Sequence, residues 1–307
     1  DNPRCQGTAD RHHPGRGNVT FQDRLRTAQD DIQNTLTDLL AAFDGPVGDA
    51  MRYACTGGKR LRGFLALETS ALFDVPRPRA LRVAAAIEAV HAYSLIHDDL
   101  PCMDDDDMWR GHPTVHRRWD DATAVLAGDA LQSAAFEWLA DVATHDDAGV
   151  RADLVLTLAR NAGAAGMVRG QALDIAAETA ATALSLDQII ELQRLKTGCL
   201  LEWPCRAGAL LAQANPAPLL AYAADLGLAF QIADDLLDVE GDAEIVGKAV
   251  GKDAGAGKAT FVSLMGAEAA RTRADNLVKS AQGSLLPFGD RADTLAAVAR
   301  YVVTRDK

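Results

Sequence analysis

Apolar residues recur at helical spacing along most of the chain, and short polar or Gly/Pro-rich breaks separate the stretches. The pattern predicts helices over 21–43, 46–55, 59–72, 79–100, 123–143, 150–165, 186–211 and 219–238, with further helices up to the C-terminus. The sharpest breaks are Asp44-Gly45-Pro46, Thr56-Gly57-Gly58 and Asp74-Val75-Pro76-Arg77-Pro78. The glycine-rich stretch that begins at Gly241 carries Lys248, Lys252 and Lys258 and reads as a mobile loop. Residues 1–18 are polar and rich in Gly, Pro and His, and read as a flexible N-terminal arm. No repeat or change of composition divides the remainder. The expectation is a single all-α domain over 19–307, a helical bundle with a central active-site cavity.

Composition supports this reading. Of 307 residues, 48% are hydrophobic, which provides for a sizeable core. Ala and Leu, both strong helix formers, dominate. A net charge of -12 argues against a general nucleic-acid binder, because a phosphate backbone demands a basic face. It leaves room for a small phosphorylated ligand held by local cations or by metal ions. The five cysteines form no CxxC pair and read as reduced thiols of a cytoplasmic protein. No apolar run approaches the length of a membrane span. Asn18-Val19-Thr20 matches a glycosylation acceptor and is read as chance.

Two Asp-rich clusters change the picture. Asp234 and Asp238 stand at i and i+4, so one helix face carries both carboxylates. The first cluster places six aspartates within 98–107, after an apolar Ala-rich helix. In an unbroken helix Asp104 would lie about 240° round from Asp98. Pro101 prevents an unbroken helix, so a bend or bulge is expected to return Asp104 to the side of Asp98. Each cluster could also be a solvated acidic segment. Carboxylates without an organised His or Cys set point to a hard cation such as Mg²⁺, which completes its shell with water and phosphate. The EF-hand spacing is absent. Basic residues accompany the acids: Lys59, Arg60 and Arg62 where a Gly-rich turn enters a helix, then Arg110, Lys196, Lys248 and Lys258. A helix N-terminus of this kind favours anions. The P-loop order is missing.

Ser94 to Asp107 (SLIHDDLPCMDDDD) resembles the first Asp-rich motif of bacterial trans-prenyl diphosphate synthases, in its longer DDxxxxD form. Phe230 to Asp238 (FQIADDLLD) resembles the second. Gly57 to Arg62, Gly166 to Gln171, Lys196-Thr197-Gly198 and Gly247-Lys248 match in order and spacing, and the resemblance covers roughly 20–300. It is nearest to the bacterial farnesyl diphosphate synthases and their geranylgeranyl relatives. The resemblance implies a Mg²⁺-dependent prenyltransferase with three ions, held by Asp98, Asp104, Asp234 and Asp238. It implies that Lys196, Lys248 and Lys258 grip the allylic diphosphate, and that Lys59, Arg62, His91 and Arg110 bind isopentenyl diphosphate. Thr197 and Gln231 would face the reacting carbons. The released diphosphate would take the proton, which leaves His97 a structural part. A homodimer is implied as well.

Three positions depart from the family pattern. Trp109 replaces the first Arg of an Arg pair, which would weaken the grip on the allylic diphosphate. Gly63 and Val262 replace prolines and are read as structural variations. Bulky Tyr93 is expected to floor the product pocket at C15, with small Ser94 leaving room beyond C10. The alternatives are a geranylgeranyl (C20) or geranyl (C10) diphosphate synthase and, outside catalysis, a regulatory subunit.

Overall fold

The structure, a computed structural model, describes residues 20–180, 182–240 and 259–304. The proposed N-terminal arm lies outside these residues, as do Lys248, Lys258 and the whole glycine-rich loop, 241–257.

Helix α1 (Phe21–Leu40) opens on a capping box: the Asp23 amide donates to Thr20 Oγ1 (3.2 Å), and the Thr20 amide donates to Asp23 Oδ2 (3.3 Å). Its buried residues, Leu25, Ala28, Ile32, Leu36 and Leu40, fall three or four apart and form one stripe. Helices α2 (Gly45–Ala54) and α3 (Leu61–Ala71) follow. Helix α4 (Arg77–Asp98) is buried on almost every side, with Val83 to Ala86 and Ile87 wholly inaccessible. It is the central helix of the bundle, packed against α1, α3, α6 (Asp121–Ala140) and α10 (Cys199–Leu211). Its many alanines permit that density of neighbours.

Small residues also set the other close crossings. A Cβ at Gly208 on α10 would lie 2.4 Å from Thr69 Oγ1 and 2.7 Å from the Ser70 nitrogen on α3. Trp203, fully buried on α10, donates Nε1–H to Thr157 Oγ1 (3.0 Å) on α7 (Ala148–Ala162). Helix α11 (Ala217–Glu240) is tied to the last helix, α14 (Asp293–Thr304), by the Tyr222 hydroxyl donating to the Leu295 carbonyl (2.8 Å). Between them run α12 (Phe261–Met265), α13 (Ala267–Ser284) and a 3₁₀ turn. A small second core of Ile189, Ile232, Phe261, Ala270 and Ala274 packs under the C-terminal half of α11.

The all-α expectation holds, with four differences. Gly166, expected only as part of a motif, caps a further helix, α8 (Met167–Glu178). The segment 186–211 is not one helix: α9 (Leu186–Gln193) passes through a π turn, Arg194–Gly198, into α10. The first helix stops at Leu40, short of Phe43. Finally, a two-stranded antiparallel hairpin, β1 (Met108–Trp109) and β2 (His112–Pro113), follows the first Asp cluster, and the four-residue α5 (Val115–Arg118) leads on to α6. Cys55, Cys102, Cys199 and Cys205 are free thiols. Among the described residues no helix is long and apolar enough to cross a membrane.

Candidate active site

Pro101 acts on the first Asp cluster differently from the expected bulge. Helix α4 ends at Asp98, and the chain folds back through a wide turn in which the Asp104 amide donates to the Asp98 carbonyl (2.9 Å). A second bond, Asp105 N–H to the Leu100 carbonyl (3.2 Å), closes the loop. Asp104 thus returns beside Asp98 because the helix stops. Asp105, in a left-handed conformation (φ 51°), supports the reversal.

The carboxylates gathered there repel one another. Asp99 is pushed up from 3.8 to about 7, first by partial burial and then by the charges of Asp106, Asp98 and Asp104. Four acids gathered at the end of α4, three of them half-buried, fit a hard divalent cation, which would relieve that repulsion. Asp106 is a member the sequence reading missed. Asp105, Asp107 and His116 form a second tight set, with ligand atoms within 4.8 Å of one another. There Arg117 pairs with Asp107, and the Thr114 hydroxyl links the Asp106 carbonyl (2.9 Å) to His116 Nδ1 (3.1 Å), so the set braces the base of the hairpin.

Helix α8 closes the site from the side. Gln171 Nε2 donates to Asp98 Oδ1, and one helical turn on, Asp174 Oδ2 receives Lys196 Nζ (2.6 Å). Neither Gln171 nor Asp174 was assigned a role from sequence. Lys196 and half-buried Thr197 lie in the π turn. That turn is clasped by glycines on both sides. A Cβ at Gly170 would lie 2.2 Å from the Lys196 nitrogen, and one at Gly227 would lie 3.3 Å from the Gly198 Cα. Wide π turns recur where side chains must be aimed into a site.

On α11, Gln231, Asp234 and Asp238 fall at i, i+3 and i+7 and share a stripe. Gln231 is buried and Asp234 exposed. Asp235 is buried instead, and its Oδ2 accepts the Phe261 amide (2.7 Å) at the start of α12, so it anchors the helix that follows.

The basic groups meet around His91. Its pKa lies well below 6.5, first because of burial and then because of the charges of Arg62, Arg110 and Arg60. Arg62 in turn feels Glu88 and Asp234, so this cationic cluster adjoins the second Asp motif. Lys59 sits in the same Gly-rich turn. Arg110 occupies the tip of the hairpin, where it and Gly111 both have positive φ (48° and 78°), as a type I′ turn requires. Its guanidinium stacks on Trp109, 4.2 Å from the ring centroid, and lies against Gly58, where a Cβ would come within 2.2 Å of it. Trp109 therefore supports its neighbour Arg110, a part that sequence alone did not show.

Tyr93 is buried in the α4–α6 seam, edge-on to His97 (5.8 Å between ring centroids) and facing Gln132. His97 Nε2 lies 3.1 Å from the Val125 carbonyl and rests on Gly128, so it pins α4 to α6. Half-buried Ser94 donates its hydroxyl to the His91 carbonyl (2.9 Å).

The family model described as polyprenyl synthetase matches residues 46–285. The chain belongs to that family. It is 45% identical to the farnesyl diphosphate synthase of Escherichia coli (strain K12) over 305 residues, 94% of this chain and 100% of that one. It is 40% identical to the geranylgeranyl diphosphate synthase of Cyanophora paradoxa, with 84% and 87% covered. The crystal structure of an FPP/GFPP synthase from Zymomonas mobilis matches with a TM-score of 0.85 at 47% identity, over 93% of this chain and 99% of that one.

Proposed function

We propose that the protein condenses isopentenyl diphosphate head-to-tail with dimethylallyl and then geranyl diphosphate to give farnesyl diphosphate. The observation that carries this reading is the pairing of two unlike sites: four converging carboxylates at the end of α4, and a cationic cluster about His91 that reaches Asp234. Such a pair suits two diphosphate substrates, one met through cations and one met directly.

Asp98, Asp104, Asp234 and Asp238 would hold three Mg²⁺ ions. When bound, Mg²⁺ neutralises the allylic diphosphate so that it can leave. Lys196 adds positive charge on the same side, as Lys248 and Lys258 would from outside the described residues. Lys59, Arg62, His91 and Arg110 orient isopentenyl diphosphate. Thr197 and Gln231 present dipoles to the allylic cation and help to keep water from it. The departing diphosphate accepts the proton lost after carbon–carbon bond formation, so no protein base is needed. The buried ring of Tyr93 ends the product pocket at C15. The reading includes a homodimer, in keeping with exposed Val125 and Leu126 on α6.

Incubation of the protein with isopentenyl and dimethylallyl diphosphates and Mg²⁺, followed by chromatography of the dephosphorylated products, tests the reading. Farnesol is the expected product. Geranylgeraniol or geraniol would reassign the chain length, and absence of turnover would favour a regulatory subunit. Tyr93→Ala is expected to shift the products to C20 or longer, and an unchanged product would remove Tyr93 as the floor.

A further inference from the structure

Glu88 is a buried carboxylate in the middle of α4, only 4% exposed, and it takes no part in the chemistry proposed above. Its partner is Arg60, 7% exposed, at 3.3 Å. Charges this deep are costly unless paired and hydrogen-bonded, and here both are, although Arg60 Nε has no hydrogen-bond partner. Glu88 Oε1 accepts the Gly63 amide (2.8 Å), a bond that proline at 63 could not make. Arg60 also donates to the Cys55 carbonyl at the end of α2 and to Gln33 Oε1 on α1 (2.8 Å).

Gln33 Oε1 receives the Gly57 amide as well (3.0 Å), and the neighbouring Gln29 donates to the Lys59 carbonyl (2.9 Å). The turn 57–63 is thus held from α1 on one side and from α4 on the other. Arg60 adopts a left-handed conformation (φ 52°), which sends its side chain inward between Lys59 and Arg62. Glu88 stands one helical turn before His91, and its charge reaches Arg62 and Arg110. Every cation assigned to isopentenyl diphosphate therefore lies on, or next to, a backbone segment that this clamp fixes.

We infer that Glu88 and Gln33 are positioning residues for isopentenyl diphosphate. Acting through Arg60, they set the 57–62 turn so that Lys59 and Arg62 meet His91 and Arg110 around one diphosphate. The inference rests on the proposed function, and it predicts a selective effect. Loss of the clamp weakens the isopentenyl site and leaves the allylic site, built on α4, α8 and α11, intact.

The test compares the unmodified protein with Gln33→Leu and Glu88→Gln. KM is measured for each substrate, and isopentenyl diphosphate binding is measured by calorimetry. Each variant is expected to raise KM and Kd for isopentenyl diphosphate about tenfold, the worth of one hydrogen bond to a charged group. The allylic KM and the saturated kcat stay within about twofold. Gln33 is only half-buried, so its variant decides the matter if Glu88→Gln does not fold. An unchanged isopentenyl KM in a folded variant overturns the inference, as does an equal rise in both KM values, which marks general loosening. Failure of the unmodified protein to turn over overturns the proposed function instead, and the calorimetric comparison still tests the clamp.

Discussion

Gly170→Ala separates helix propensity from packing. In an exposed helix this change adds about 0.8–1.0 kcal/mol of stability. In α8 the new Cβ would stand 2.2 Å from the Lys196 nitrogen, 2.5 Å from its Cα and 2.8 Å from the Leu195 carbonyl carbon. Comfortable contact needs about 3.5–4.0 Å, so α8 and the π turn must part by roughly 1.5 Å. All three atoms are backbone, and no rotamer change can relieve them. Overpacking of this kind costs about 1–3 kcal/mol, so the variant is expected to lose up to about 2 kcal/mol net in urea unfolding, in place of the gain. The same shift pulls Asp174 from Lys196 and Gln171 from Asp98. A displacement of that size should lower kcat about 100-fold. Gly283→Ala on α13, where a Cβ meets nothing within 4 Å, serves as the control and should gain up to about 0.8–1.0 kcal/mol of stability with kcat unchanged. If Gly170→Ala matches the parent in stability and kcat, the clasp around the π turn is not what holds Lys196 in place.

Further outcomes follow from other groups at the site. Asp99 is raised from 3.8 to about 7, so the folded chain holds its proton more tightly than the unfolded chain. Its contribution to stability is full below about pH 4 and is lost as the pH rises through about 7. Mg²⁺ favours the ionised form, so binding at pH 6 should release protons; equal calorimetric heats in buffers of different ionisation enthalpy would refute this. Asp235→Ala should cost about 1–2 kcal/mol of stability through the lost contact to the Phe261 amide, whereas Asp234→Ala should cost activity with stability almost unchanged. Paired denaturation and kinetic measurements distinguish the two. Trp109→Arg should lower the allylic KM by supplying a cation near the Asp cluster. It should also release Arg110 from its ring contact, worth about 0.5–1 kcal/mol, and raise the isopentenyl KM severalfold. An unchanged allylic KM would dismiss the first effect.

The helices and the acids were legible because each is written in short-range spacing. The 3.6-residue period exposes α1 and α2, and the i, i+4 pair Asp234 and Asp238 needs only a helix to be read. The hairpin was not legible. Its strands are two residues long, too short to show alternation, and its turn begins with Arg110 where Asn or Asp would have been the usual signal. The π turn hides for a different reason: its ladder of bonds lengthens by one residue without any change in composition. Glu88 looked like one polar residue on an Ala-rich helix, since only the fold shows that α3 covers it. Asp106 was passed over because it follows Asp104 and Asp105 without distinction, and the reversal at Pro101 is what turns it toward the others.

The π turn at Arg194–Gly198 also bears on which length changes the gene can tolerate. Deleting one residue there would restore an uninterrupted α-helix, locally the more regular structure. A π turn is a helix carrying one extra residue, so the cut would leave α10 in phase, with Trp203, Cys205 and Ala209 still wholly inside. What would change is the widened turn itself, and Lys196 and Thr197 would no longer be aimed as they are. A one-codon loss at this spot should therefore spare the fold and cost the activity.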